Sequence, residues 1–291
     1  MTGPDNSELP FFAYGFFRPG EISFLGIKDF VADAKPFMVP GEIKHRDGLN
    51  LFVKNDNKTV DGYLINFHKD RGADAYRFIN AMEPDNLFYW KTDEFNGTTY
   101  NILYGKKPNK GSETSAEFEF DSVWKDPFFT LALVTLEEFK IEEYTNDRDL
   151  RDKAMFKLQM KYMLLWTIIE RFIFLRYSLG GTIADGNKKF AENLLFKEGL
   201  EKFIPNGSVK RPLFKSDVPD KQIDFSIDDA KKAIQYYYQV RCNVTHRGKG
   251  LVQDLDLLKN CYSELYNIIN HVLKETYNEC EQIEQQYKNN M

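Results

Sequence analysis

Apolar and polar positions alternate over short stretches in the first third of the chain and recur with a helical period in the rest. Between Pro10 and Lys107, runs rich in β-branched and aromatic residues, each closed by turn residues, predict strands at Phe11–Phe17, Val39–His45, Leu49–Asn55, Thr59–Phe67, Phe88–Phe95 and Thr99–Gly105. Asn96-Gly97 predicts a hairpin between the last two. One helical segment, Ala73–Glu83, interrupts the strands and is closed by Pro84, because proline disfavours helix in the residue before it. The stretch NKGSETSAEFEFDS, beginning at Asn109, is polar without clear periodicity and predicts a surface loop or linker. From about Leu131 the period becomes helical, and Asp147–Ser178 keeps it until Gly180-Gly181. Further helices are expected at Asp185–Phe203, Ser226–His246 and Val252–Lys288, with Ser226 and Asp229 in the spacing of an N-terminal cap. Pro205–Asp224, rich in Pro, Lys and Asp, predicts an exposed crossover.

The expected fold class is α+β: a small β-rich domain with an inserted helix, followed by an all-α bundle. The length of 291 residues also points to two domains. The expected domains are 1–121 and 122–291, with the junction between about Lys107 and Leu131. At 42% hydrophobic residues the chain is too apolar for a disordered protein. The net charge of −5 is uneven: residues 1–121 carry 14 Lys+Arg against 19 Asp+Glu, and residues 122–291 carry 25 against 25. Three cysteines, with no CxxC or Cys/His cluster, support neither a disulfide framework nor a zinc site. The N-terminal MTGPDNSELP lacks the basic and apolar regions of a signal peptide, and no long uninterrupted apolar run is present. A cytoplasmic protein without membrane insertion is the expectation. The phosphate-binding loop, dinucleotide and nucleophile-elbow motifs are absent from the sequence.

Polar residues of catalytic type concentrate in YYYQVRCNVTHRGKG, Tyr236–Gly250, at the end of the third bundle helix. Arginine supplies a permanent charge in fork geometry for a phosphate, and histidine moves a proton near neutral pH. Arg241 and His246 therefore suit phosphodiester chemistry. RNA carries its own nucleophile, the 2′-hydroxyl, which needs a base, in-line geometry and charge stabilisation but no metal. A five-residue step on a helix is about 500°, which leaves the two positions roughly 140° apart. Either Gly248 and Gly250 allow the helix to end or distort at His246, or a second subunit completes the site. Residues 205–250 hold 9 Lys+Arg against 5 Asp+Glu, an excess able to steer a polyanion. The plainer alternative is a basic last turn that complements the helix dipole.

RCNVTHRGK, set between an aromatic helix and another long helix, resembles the R-x(4 to 6)-H motif of HEPN domains, in the R-N-x-x-x-H-x-G form of abortive-infection-like members. Leu158–Phe174 is similar to their first long helix, and the likeness covers about Asp147–Lys288. The resemblance implies a metal-independent endoribonuclease, a toxin or defence-like effector, working as a homodimer through the helical domain. His246 would transfer the proton and Arg241 would stabilise the transition state. Asn243 would be the polar motif position, displaced by one because Cys242 occupies its usual place. Arg247 and Lys249 would contact the RNA. Glu170, mid-helix beside Arg171, is a candidate to orient Arg241; an ionised pair there needs partners.

In the β-rich part, YGFFRPG places Gly15 and Gly20 where backbone can approach closely and form an anion-binding nest. A tight strand-end turn is the alternative. Tyr-Gly-x-x-Arg-x-Gly, followed by INAME (Ile79–Glu83) and Tyr89-Trp90-Lys91, resembles the γ-glutamylcyclotransferase-like (AIG2-like) family over residues 10–107. That resemblance implies a small mixed β-barrel. It makes Glu83 the proton-transfer residue and assigns Tyr14, Gly15, Arg18 and Gly20 to a loop that binds a γ-glutamyl or other small carboxylate. Phe16, Phe17, Asn80, Pro84 and Lys91 depart from the family pattern. The expected function is a metal-free, cofactor-free endoribonuclease acting on RNA, regulated by its cyclotransferase-like domain. The alternatives are a γ-glutamylamine cyclotransferase whose helices only dimerise, and a non-catalytic RNA-binding or antitoxin-like protein.

Overall fold

A computed structural model describes residues 2–46, 49–83, 85–107, 113–114, 126–140, 148–177, 182–205, 207–215, 218, 220–247 and 254–289. It is a mixed α+β protein that divides into two compact units. Met1–Val123, Phe174–Gly180 and Thr276–Met291 form one; Trp124–Ile173 and Gly181–Glu275 form the other.

The first unit contains β1 (Phe11–Ala13), α1 (Phe24–Ile27), β2 (Val31–Pro40), β3 (Glu42–Arg46), β4 (Leu49–Val53), β5 (Thr59–Phe67), α2 (Gly72–Met82), β6 (Phe88–Phe95), β7 (Thr98–Gly105) and β8 (Glu113–Thr114). A five-stranded sheet has the order β2-β5-β1-β7-β6, and a three-stranded sheet the order β4-β3-β8. Among the described strands of this unit, only β1 and β7 pair in parallel; the other neighbours are antiparallel. The central β1 is buried on both faces, which explains its unbroken apolar run. Phe12 joins Tyr14, Phe52, Leu64, Tyr100 and Ile102 in one core. Phe11 packs edge-on against Tyr76 of α2 and Trp90 of β6. Asn101, fully buried on β7, donates to Asn6 O and Tyr76 Oη and accepts from Thr92 Oγ1, so its burial leaves no polar demand unmet.

Several expectations change here. The strand expected over Phe11–Phe17 stops at Ala13, because Arg18 N donates to Gly15 O and turns the chain. The strand expected over Val39–His45 is instead the junction of β2 and β3. The ten residues of β2 were hidden by Pro36 and by charged positions; β2 is an edge strand, where a missing N–H is tolerated. The hairpin forms as expected, with positive φ at both Asn96 and Gly97. Gly20 also has φ of 98°, and a Cβ there would meet the Glu284 side chain at 3.2 Å.

The helices are α3 (Pro127–Glu138), α4 (Arg148–Tyr177), α5 (Ile183–Glu192), α6 (Leu194–Phe203), α7 (Ala230–Arg247) and α8 (Leu255–Asn289), with a small hairpin of β9 (Leu213–Phe214) and β10 (Gln222–Ile223) before α7. No described helix is long and apolar enough to cross a membrane. The single helix expected over Asp185–Phe203 is broken at Asn193, whose side chain accepts from Phe196 N and starts α6. Asp229, rather than Ser226, caps α7, accepting from Lys231 N and Lys232 N. The crossover is not simply exposed: Leu213 is buried, and the Lys210 side chain is only 8% exposed. Lys210 Nζ lies 2.6 Å from both oxygens of Glu264, and Glu264 also accepts from Tyr237 Oη at 2.7 Å. The last turns of α8 belong to the first unit, where Lys28 pairs with Glu279 and Phe24 meets Tyr287.

Glu264→Ala leaves the Lys210 ammonium buried without its counter-charge and is expected to lower stability by roughly 3–5 kcal/mol. Urea unfolding reads this as a lower midpoint, and the double replacement Lys210→Met with Glu264→Leu should recover most of the loss.

Candidate functional site

Two groups of residues singled out by sequence acquire a geometry. In the β-rich unit, Tyr14, Gly15 and Glu83 line one cleft with Phe16, Phe17 and Phe88. β1 delivers Tyr14, whose hydroxyl donates to Leu103 O at 2.9 Å. Burial first, and the nearby Glu83 carboxylate second, push the Tyr14 hydroxyl well above its ordinary pKa, so it stays a neutral donor. α2 ends at Met82, and Glu83 follows in extended backbone with its N–H bonded to Ile79 O. The residue as a whole keeps some solvent contact. Its carboxyl is nonetheless enclosed by apolar groups, and desolvation raises its pKa to about 7. A carboxyl poised there exchanges a proton near neutral pH.

Arg18 and Gly20 are not among the residues lining this cleft. Arg18 pairs with Glu21 at 3.2 Å, and Gly20 serves the turn beside Glu284. Asn80 accepts from Trp90 Nε1 at 2.6 Å, and Lys91 lies 3.1 Å from Asp93. The free volume of the cleft is about 30 Å³, room for a water-sized group rather than a γ-glutamyl chain. The aromatic rings of Phe16 and Phe17 help to fill it.

In the helical unit, α4 and α7 pack in register. Tyr162 Oη donates to Tyr237 O, the Trp166 ring meets Tyr238 edge-on at 5.4 Å, and Glu170 Oε1 lies 3.7 Å from Arg241 Nη2. Positions 162, 166 and 170 are four apart and share one helical face. That spacing is the sequence signal that places Glu170 opposite the motif. Glu170 and Arg171 do not pair with each other; Arg171 turns to Asp126. Arg241 is 17% exposed at its side chain and also faces the Tyr238 ring at 5.8 Å. Asn243 looks elsewhere, accepting from Gln239 Nε2 at 2.8 Å.

α7 remains helical through Arg247, so the helix does not end at position 246. The side chains of His246 and Arg247 lie outside the described residues, as do Gly248, Lys249 and Gly250. The local basic excess is offset from outside the segment. Lys210, Arg211, Lys231 and Arg241 pair with Glu264, Asp254, Glu192 and Glu170, four carboxylates that match the surplus of four. Net charge alone therefore does not steer a polyanion to this helix end. Sequence reasoning did not single out Gln159, Arg211, Phe214 or Asp254, which with Asn243 line a separate cavity. Gln159, a polar residue among the apolar positions of α4, was the available signal.

Fold and sites thus define a mixed α+β protein with a desolvated carboxyl in one unit and a braced arginine in the other. Comparison of the chain with protein-family models, curated proteins and solved structures finds no match.

Folded Glu83 binds its proton more tightly than the unfolded chain does. Its contribution to stability is fully present below pH 4.5 and is lost as pH rises through about 7. Glu83→Gln should remove this fall. Relative to the variant, the native chain is expected to lose at most about 3 kcal/mol over that window, measured by urea unfolding at several pH values.

Proposed function

We propose that the helical unit is a metal-independent endoribonuclease that cleaves RNA as a homodimer, with the β-rich unit as its ligand-responsive regulator. The observation that carries this reading is the bracing of Arg241. An arginine that only complements a helix dipole needs no partner and extends into solvent. Arg241, six residues before the last residue of α7, instead lies 3.7 Å from Glu170 of α4 and faces the Tyr238 ring. In the proposed reaction the 2′-oxygen attacks the adjacent phosphorus. The O2′–P bond forms, the P–O5′ bond breaks, and the product carries a 2′,3′-cyclic phosphate. His246 moves the proton, and Arg241 stabilises charge on the phosphoryl oxygens.

The continuous helix supports the two-subunit form of this site. On α7, positions 241 and 246 lie roughly 140° apart, so one protomer does not converge them and a second copy supplies the missing member. On α4, Phe156 and Met160, one turn apart, are 63% and 56% exposed, the kind of apolar stripe that a second copy covers.

A second reading rests on Glu83 beside Tyr14 and Gly15: a cyclotransferase, whose substrate would have to open the cleft. Purified chain incubated with total RNA in EDTA is expected to cleave it, and His246→Ala to reduce the rate at least about 100-fold. Equal cleavage by the variant, or none by the native chain, overturns the nuclease. Release of 5-oxoproline from a γ-glutamylamine panel, abolished by Glu83→Gln, would instead establish the second reading.

A further inference from the structure

The five-stranded sheet of the first unit ends in two different edges. β2, at one end, carries Pro36 and Pro40 and a register shift between Val31 and Asp33, features that keep a further strand from pairing. β6, at the other end, has neither proline nor glycine, and its register with β7 runs unbroken from Phe88 to Phe95. Among the described residues no strand pairs with its outer edge, which leaves a row of backbone donors and acceptors open. A groove of about 330 Å³, lined by both Phe88–Thr92 and the N-terminal Thr2–Asp5, runs beside the first part of this strand. Just past its other end, the Asn96-Gly97 tip is open: a Cβ on Gly97 would meet nothing within 4 Å.

We propose that β6 pairs with β6 of a second copy of this chain, antiparallel about a two-fold axis at Thr92, so that the two sheets become one. The inference is independent of the nuclease reading. A two-fold pairing within one sheet keeps every side chain on its own face, so the axis passes through a residue rather than between two. Centring on Lys91 or on Thr92 gives the longest overlaps, 88–94 or 89–95. At Lys91 two ammonium groups would meet across the axis. At Thr92, Lys91 lies opposite the partner's Asp93 and Asp93 opposite the partner's Lys91, while Tyr89 meets the partner's Phe95. Opposite charges and aromatic rings directly across a strand pair stabilise it, and like charges oppose it. The charges on this edge therefore select a single register. Tyr89 is 42% exposed and the Lys91 side chain 41%, so both can be covered. Lys91 and Asp93 already lie 3.1 Å apart within one strand, and two copies would join them into a group of four alternating charges. The same register brings the partner's hairpin tip alongside Phe88 and Tyr89, where the groove lies. Roughly six backbone hydrogen bonds would form across the seam.

The test uses the full chain with a cysteine placed at the axis. Thr92→Cys, treated with a mild oxidant, is expected to form a disulfide-linked dimer, because facing residues of an antiparallel pair lie within disulfide reach. The native chain controls for Cys242, Cys261 and Cys280. In Tyr89→Cys the two new thiols would lie roughly 20 Å apart along the strand. Both proteins should link at least about tenfold less than Thr92→Cys. Charge then reads the register. Lys91→Asp, added to Thr92→Cys, sets a carboxylate against the partner's Asp93 and should lower linkage about tenfold, and Asp93→Lys in the same background should do likewise. Mixing these two proteins should restore linkage, since one strand then carries two carboxylates and the other two ammonium groups. Circular dichroism checks that each variant is folded. Linkage of Thr92→Cys no greater than that of the native chain overturns the second copy and leaves the edge to a different extended chain. Equal linkage in Tyr89→Cys overturns the register, and a mixture that does not recover overturns the charge pairing. Linkage is read without RNA, so failure of the nuclease reading leaves this result unchanged.

Discussion

The helical unit depends on the ion pair between Lys210 and Glu264. A lysine with 8% of its side chain exposed is tolerated only when its ammonium is neutralised and hydrogen-bonded, and both oxygens of Glu264 meet it at 2.6 Å. The Phe225 and Tyr237 rings face the ammonium and complete its surroundings. The pair pins the segment between α6 and α7 to α8. Through the Tyr237 hydroxyl, the same carboxylate also holds α7. Tyr162 then bonds the Tyr237 carbonyl from α4, and the register it sets continues through Trp166 to Glu170 and Arg241. The geometry of the arginine is thus tied to a buried charge that holds Tyr237, about one turn away along α7.

Each unit keeps a polar group in an apolar setting where an unused residue would be replaced at little loss. Glu83 faces the rings of the Tyr14–Phe17 turn with its proton held to about pH 7. Gln159 Nε2 is buried with no hydrogen-bond partner among the described residues. Desolvation makes both groups sensitive to whatever enters, since a ligand that satisfies them removes the strain of burial. The space at Glu83, about 30 Å³, accepts a water-sized group.

Charge shows most clearly how sequence neighbours mislead. Nine basic residues within residues 205–250 look like a polyanion surface, yet four of the carboxylates that answer them come from α4, α5, α8 and the residue just before α8.

Periodicity and turn chemistry by themselves determined much of the element order: β5, β6, the Asn96-Gly97 hairpin and the long α4 follow from local patterns of apolar residues and from backbone preferences that act within a few residues. The Arg241 motif and Glu83 were visible for the same reason, as residue types at fixed spacing. Only the tertiary structure decided that β2 is an edge strand able to hold Pro36, that Asn193 breaks a helix, and that Glu170 turns to Arg241 while Arg171 turns to Asp126. It also decided that Arg18 and Gly20 stand apart from the cleft. Such outcomes depend on partners tens to hundreds of residues away, and desolvation and pairing energies are set by where those partners lie in space rather than by their distance along the chain.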